Sequence, residues 1–110
     1  MISESQAIEI FGALAQDTRL RIVRALVRAG PNGLSAGILA DATGVSASNL
    51  SFHLRELSSA GLIASRREHR SIIYVCQYDR LHALQAFLLE KCCGGWPDEC
   101  APKAKPKAKK

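Results

Sequence analysis

Three cysteines lie in one short segment near the end of this chain, and their chemistry suits the binding of a ligand. Cys92 and Cys93 are adjacent, and Cys100 follows seven positions later, across a Gly-Gly-Trp-Pro stretch. Neighbouring residues of a continuous helix point about 100° apart, so the adjacent pair can face one ion only where the helix unwinds. The two glycines allow this unwinding, after which Cys100 can reach the pair.

The number of thiols indicates the class of ligand. Three thiolates with no histidine nearby form a soft, three-coordinate site. Zinc prefers four ligands in a tetrahedral arrangement, and a fourth from Asp98, Glu99, water or Cys76 is not obviously placed. Trivalent arsenic and antimony take three sulfurs in a trigonal pyramid. The ligand count therefore favours arsenite, or antimonite, over zinc, and Cys76 is predicted to be a small buried residue outside the site.

Other uses of the same thiols remain open. A disulfide between Cys93 and Cys100 would make a redox switch, whereas one between Cys92 and Cys93 would be strained. A sensor of cadmium, lead or zinc is a further alternative. A thiol enzyme is disfavoured because the sequence has no Cys-x-x-Cys at a helix N-terminus, no phosphate-binding loop and no Ser/His/Asp set. No organic cofactor is expected.

The composition indicates one small globular domain with a basic tail. The chain has 110 residues, 47% of them hydrophobic, and a net charge of +5. The first 100 residues carry ten basic and ten acidic side chains, so the whole excess lies in the five lysines of residues 101–110. This tail is predicted to be disordered, serving for solubility or for attraction to phosphate. With neither an export signal nor an apolar run of about 20 residues, we predict a cytoplasmic protein.

Apolar spacing and capping residues predict the helices that flank a DNA-binding motif. Ser3 caps the first helix, with Gln6 one place short of a capping box, and Asp17 or Thr18 begins the second. The second helix is expected to bury the apolar stripe Leu20, Val23, Leu26 and Val27. Asp79 is predicted to cap a last helix that runs to the first two cysteines of the cluster.

The middle of the chain predicts a winged helix-turn-helix. Ser35 caps a short helix, Thr43-Gly44 forms a turn, and Ser46 caps a further helix, which is the helix-turn-helix pattern. Two alternating segments, LIASRRE and SIIYVCQ, form a hairpin with His69-Arg70 at its tip. The predicted fold class is therefore mainly α with a small β-hairpin wing, and the predicted division is domain 1–93, ligand-binding turn 94–100 and tail 101–110.

The helix capped by Ser46 is predicted to read DNA. Its Ala47, Leu50, Leu54 and Leu57 share a core-facing side, and the opposite side offers hydroxyls, an amide and a cation for bases and phosphates. Phe52 on that side either contacts a thymine methyl or folds back under the wing. The basic hairpin tip suits phosphate or minor-groove contact. The predicted DNA-binding residues are Ser46, Ser48, Asn49, Ser51, Phe52, Arg55, Arg66, Arg67, His69 and Arg70.

Several of these motifs resemble the ArsR/SmtB family of winged-helix repressors. The family's Ser-x-His-Leu pattern matches Ser51 to Leu54, its Ala-Gly-Leu-Ile/Val pattern matches Ala60 to Ile63, and its early ALxDxTRLxIL segment matches ALAQDTRLRIVRAL. The resemblance covers roughly residues 7 to 90. It implies a DNA-bound homodimer joined mainly by the first and last helices, and repression until an inorganic ligand binds. His53, common in the family, lies nearer the buried side, which favours a structural role.

The resemblance also limits which ligand sites and which dimer contacts are expected. The family's usual cysteine cluster before the recognition helix is absent from SAGILADATG, and Asp79 and His82 lack the partners of a zinc site. Some arsenic-responsive members carry a vicinal cysteine pair and a third cysteine near the C-terminus, as here. The chain is therefore predicted to be a repressor that arsenite, bound by Cys92, Cys93 and Cys100, releases from operator DNA. The predicted dimer contacts are Ile8, Phe11, Leu81, Leu84, Phe87 and Leu88.

Overall fold

Five α-helices and a three-stranded antiparallel sheet make up residues 2–90, the part of the chain that the computed structural model describes. The elements are α1 Glu4–Leu14, α2 Asp17–Ala29, a 3-10 turn Gly30–Asn32, β1 Leu34–Ser35, α3 Ala36–Thr43, α4 Ala47–Ser59, β2 Ile63–Glu68, β3 Ser71–Cys76 and α5 Tyr78–Leu88. The helices α3 and α4 form the helix-turn-helix, and β2 and β3 form the wing. The predicted fold class, mainly α with a small wing, is confirmed.

Serine caps set where three of the helices begin, as the sequence predicts. The hydroxyls of Ser35 and Ser46 accept hydrogen bonds from backbone N–H groups three residues later, at 3.3 and 3.4 Å. At α1 the prediction of an incomplete capping box is wrong. Gln6 is the third helical residue, its N–H donates to Ser3 Oγ at 3.1 Å, and Ser3 N–H donates to Gln6 Oε1 at 2.8 Å.

The buried face of α2 differs from the predicted stripe. Ile22, Val23 and Leu26 are buried, whereas Leu20 and Val27 are exposed within the protomer. Spacing alone cannot choose between these faces, because apolar side chains surround much of the helix. Its neighbours α1, α3, α4 and β3 decide which face is enclosed.

A short strand that the sequence did not reveal completes the sheet, whose order is β1-β3-β2. Leu34 pairs with Tyr74 in β3, directly after Gly33. A side chain at Gly33 would collide with the Tyr74 carbonyl oxygen, and the φ of +69° with ψ of −172° is reserved for glycine. A two-residue strand has no alternation to detect, so only its pairing identifies it.

The last helix is shorter than predicted. It begins at Tyr78 and ends at Leu88, and Asp79 lies in its first turn instead of at its cap. Residues 89 and 90 form a turn, so the predicted continuation of the helix through them is wrong. Cys92, Cys93 and Cys100 lie outside the described residues, as do the predicted turn 94–100 and tail 101–110.

One contiguous core lies beneath α4 and the sheet. Ile10 of α1, Leu39 of α3, Leu57 of α4 and Leu62 are fully enclosed. Cys76, at the end of β3, is part of this core, as predicted, and is only 3% exposed. None of the helices described in residues 2–90 is long and apolar enough to cross a membrane.

Candidate nucleic-acid interface

The helix-turn-helix holds α4 at the surface through its apolar side. Leu50, Leu54 and Leu57 are buried, as predicted, whereas Ala47 in the first turn is exposed. Gly44 makes the reversal between α3 and α4 with a φ of +74°, and its N–H donates to Ala40 O at 2.8 Å. The reversal is thus fixed by glycine geometry and a backbone bond, which sets the angle at which α4 leaves the core.

The outer side of α4 presents the polar groups that the sequence places there. Ser46, Ser48, Asn49, Ser51 and Arg55 are all exposed. Ser46 uses its hydroxyl oxygen to cap the helix, which leaves the hydroxyl proton available to a ligand. This surface offers short donors and acceptors and one cation, which match base edges and phosphates in a major groove.

Phe52 lies on the exposed side of α4, opposite the buried leucines, where Arg19 of α2 reaches its ring. Its side chain is 46% exposed, the Arg19 guanidinium lies over its ring at 5.9 Å from the centroid, and its ring meets the His53 ring edge-on at 5.4 Å. The open cleft between α4 and the wing, about 450 Å³, is instead lined by a different set of residues. These are Ser51, Leu54, Arg55, Ser58, Ser59, Ser65 and Tyr74.

His53 has the structural role that the sequence indicates. It is half-buried, and its Nδ1 accepts a hydrogen bond from Arg19 Nε at 3.2 Å. Arg19 is a residue of the interface region to which sequence reasoning assigned no role. Its position in the DTRL segment, among four arginines of α2, gave no sign of which one would contact α4.

The four basic residues predicted in the wing divide into two kinds. Arg67, His69 and Arg70 are exposed around the tip, where His69 adopts a positive φ of 58°. Arg66 instead holds the wing to the 3-10 turn: its guanidinium pairs with Glu68 at 2.6 Å and donates to the Pro31 and Asn32 carbonyls at 3.1 and 3.0 Å. Three of its donors are therefore engaged within the protein.

The predicted dimer residues also divide by burial. Ile8, Phe11 and Leu88 expose 63%, 43% and 58% of their surface, which an isolated protomer would leave in water. Leu84 is buried in the protomer core, and Leu81 and Phe87 are half-buried against it. Leu89, which is not among the predicted dimer residues, is as exposed as Leu88.

The described residues contain no alternative ligand cluster. Within residues 2–90, no three His, Cys, Asp or Glu side chains come together as metal ligands would. Asp79 and His82 of α5 are both exposed. Burial raises the pKa of the Cys76 thiol, which disfavours the thiolate that a soft ion requires.

Known proteins are similar to this chain in sequence and in fold. Residues 14–66 match the model of a family described as a helix-turn-helix domain. The chain is 36% identical over 91 residues to the HTH-type transcriptional regulator YgaV of Escherichia coli (strain K12), a match that spans 83% of this chain and 90% of YgaV.

Two similar solved structures are each 29% identical to the chain. One is an ArsR-like transcriptional regulator from Rhodococcus sp. RHA1, with a TM-score of 0.70 and 87% of each chain covered. The other is the homodimeric winged helix-turn-helix DNA-binding domain of Mb0332 from Mycobacterium bovis, a possible ArsR-family regulator. Its TM-score is 0.64, and the match covers 84% of this chain and 85% of that one.

Proposed function

The chain belongs to the ArsR family of winged helix-turn-helix transcriptional regulators, and we propose that it is a repressor that trivalent arsenic releases from operator DNA. Arsenite is the proposed inducer and antimonite a second ligand of the same geometry. The observation that carries the arsenic assignment is the set of three thiols, Cys92, Cys93 and Cys100, within nine residues. The proposed site of action is the cytoplasm, where thiols remain reduced.

The exposed face of α4 and the wing tip support the DNA-binding half of this proposal. The N-terminal part of a recognition helix contacts base edges, and here it carries Ser48, Asn49 and Ser51, all exposed. Arg67 and Arg70 extend this surface with cations that suit the phosphate backbone. Bases are thus read by α4, and the wing supplies attraction that does not depend on sequence.

A homodimer would match an operator with two-fold symmetry. Ile8 and Phe11 of α1 and Leu88 and Leu89 at the end of α5 expose apolar surface in the protomer. A second copy of the chain would cover this surface, and the Mb0332 domain, similar in fold, is homodimeric. Two α4 helices in one dimer would then enter successive major grooves.

The position of the thiols supports coupling between ligand and DNA. Cys92 follows the last residue of α5 by four positions, and α5 contributes Leu88 to the proposed dimer surface. A trigonal ligand that draws three thiolates together would constrain the chain next to that surface and thereby alter the spacing of the two α4 helices. Such couplings amount to ~1–3 kcal/mol, or about 5- to 150-fold in DNA affinity.

The test compares release from DNA in cysteine variants. The reduced protein first selects its preferred duplex from a random library, and the affinity for that duplex is measured with and without arsenite. We expect arsenite to weaken binding by about 5- to 150-fold. The double variant Cys92→Ser, Cys93→Ser should bind as tightly and remain bound, and the control Cys76→Ala should be released as the wild type is.

Direct ligand binding completes the test. Arsenite titration should produce near-ultraviolet sulfur-to-arsenic absorption and consume three thiols per arsenic atom. Release of the double variant by arsenite would contradict the proposed ligand set. Release by peroxide that dithiothreitol reverses, with no response to arsenite, would favour a redox sensor, and release only by cadmium, lead or zinc would favour a soft-metal sensor.

A further inference from the structure

One arginine outside the recognition helix contacts two successive residues of it. Arg19, in the first turn of α2, places its guanidinium over the Phe52 ring and donates from Nε to His53 Nδ1. The guanidinium carbon lies 5.9 Å from the ring centroid, which is within the range of a cation–π interaction. Arg19 therefore joins α2 to the middle of α4.

The hydrogen bond from Arg19 orients the His53 ring. A guanidinium only donates, so His53 Nδ1 is the acceptor of this bond. The His53 ring in turn packs edge-on against Phe52, at 5.4 Å and an interplanar angle of 64°. Phe52 is consequently held from two directions, by a cation over its face and by a neighbouring ring.

Arg19 is itself held at its backbone. Its backbone N–H donates to Oε1 of Gln16, the N-cap residue of α2, at 2.9 Å. Arg19 therefore takes part in the cap of α2 through its backbone and reaches α4 through its guanidinium. Glu9 of α1 and Glu56 of α4 line the same open cleft as Arg19. The Arg19 side chain thus has a defined direction from α2 towards α4.

Phe52 is the one large apolar side chain exposed on the reading face of α4, among the residues that the structure describes. Among the base edges of a major groove, the thymine C5-methyl is the apolar group that such a ring can cover. An unrestrained phenylalanine on a helix surface moves between rotamers and would contact that methyl group only part of the time.

We propose that Arg19 is a specificity-determining positioning residue, which holds the Phe52 ring where it contacts a thymine methyl of the operator. This inference rests on the proposed DNA-binding function but not on the identity of the inducer. Arg19 acts through Phe52 and need not touch DNA.

The experiment uses the duplex that the wild-type protein selects from a random library. Each thymine is replaced in turn by deoxyuridine, which lacks only the methyl group. At one thymine per half-site, we expect the wild type to lose about fourfold in affinity, the effect of one buried methyl group. Phe52→Ala and Arg19→Ala should both lose this discrimination and bind the two duplexes equally.

Matched variants separate positioning from charge and from stability. Arg24→Ala removes an exposed arginine from the same helix and should keep the full deoxyuridine effect. Arg19→Lys retains a cation near the ring and should restore part of the discrimination. His53→Asn, which keeps an acceptor in place of Nδ1, should retain more discrimination than His53→Leu.

The outcomes are distinguishable. If Arg19→Ala, shown to be folded by circular dichroism, keeps the fourfold deoxyuridine effect, Arg19 does not position Phe52. If no thymine shows an effect in the wild type, the contact itself is absent and the inference fails while the repressor function stands. If the selection enriches no sequence at all, the failure is that of the proposed DNA-binding function.

Discussion

Two adjacent arginines of the wing should respond in opposite ways to the same substitution. Arg66 and Arg67 follow one another in β2, so their side chains leave opposite faces of the strand. Arg66 is bound to Glu68 and to the carbonyls of Pro31 and Asn32, whereas Arg67 is exposed near the tip. We predict that Arg66→Gln reduces stability, and that Arg67→Gln reduces the electrostatic part of DNA binding.

The magnitudes follow from these contacts. The Arg66–Glu68 pair is about half exposed and contributes roughly 0.2–1 kcal/mol. Two hydrogen bonds to carbonyl groups near solvent add about 0.5 kcal/mol each, the low end of the usual range. Arg66→Gln should therefore lower the free energy of unfolding by about 1.5 kcal/mol, and Arg67→Gln should change it by less than about 0.5 kcal/mol.

DNA binding should be weakened more by Arg67→Gln than by Arg66→Gln. Each phosphate contact contributes about −0.9 to the slope of log affinity against log salt concentration. Losing one contact in each wing of a dimer should therefore make this slope less steep by about 1.8. Urea denaturation measures the first quantity, and fluorescence anisotropy with a labelled duplex at several salt concentrations measures the second. An equal loss of slope in both variants, with no loss of stability in Arg66→Gln, would refute the reasoning.

Two further predictions concern the core and the sheet. Gly33→Ala should lower the free energy of unfolding, measured by urea denaturation, by about 3 kcal/mol or more. The backbone at Gly33 suits glycine alone, and the added methyl group would collide with the Tyr74 carbonyl. The control Gly37→Ala, in open space on α3, should be neutral or stabilising. Burial raises the pKa of Cys76 above its ordinary value of 9.0, so above that pH the unfolded thiol loses its proton before the native one. The difference in free energy of unfolding between the wild type and Cys76→Ala should then be constant near neutral pH and should fall as the pH rises past 9. A difference that grows with pH would contradict this prediction.

Much of the fold follows from signals within a few residues of one another. Ser35 and Ser46 determine where two helices begin because a serine hydroxyl accepts from an N–H three residues along the same chain. The leucines of α4 determine which of its sides is buried because their spacing matches the helix period. The helix period does not identify the buried face of α2, because several of its faces are apolar. The arrangement of the neighbouring elements decides which face is buried.

The candidate interface was predictable as a surface but not as a set of individual roles. Exposure of Ser48, Asn49 and Arg55 follows from the helix period, and exposure of the wing tip follows from its charge. The role of Arg66 does not, because its carbonyl partners are 34 and 35 residues away in the sequence. The end of α5 at Leu88 was likewise missed, since an apolar and helix-favouring run continues beyond it.

The sequence by itself determined the class of this protein, the exposed polar face of α4 and the cluster of thiols, because residue type and local spacing encode each of them. Only the tertiary structure decided that Arg19 meets Phe52 and His53, that Arg66 holds the wing, and that Leu34 adds a strand. Those contacts join residues more than thirty positions apart. No local pattern specifies such a pairing, which exists only once the core has brought the elements together.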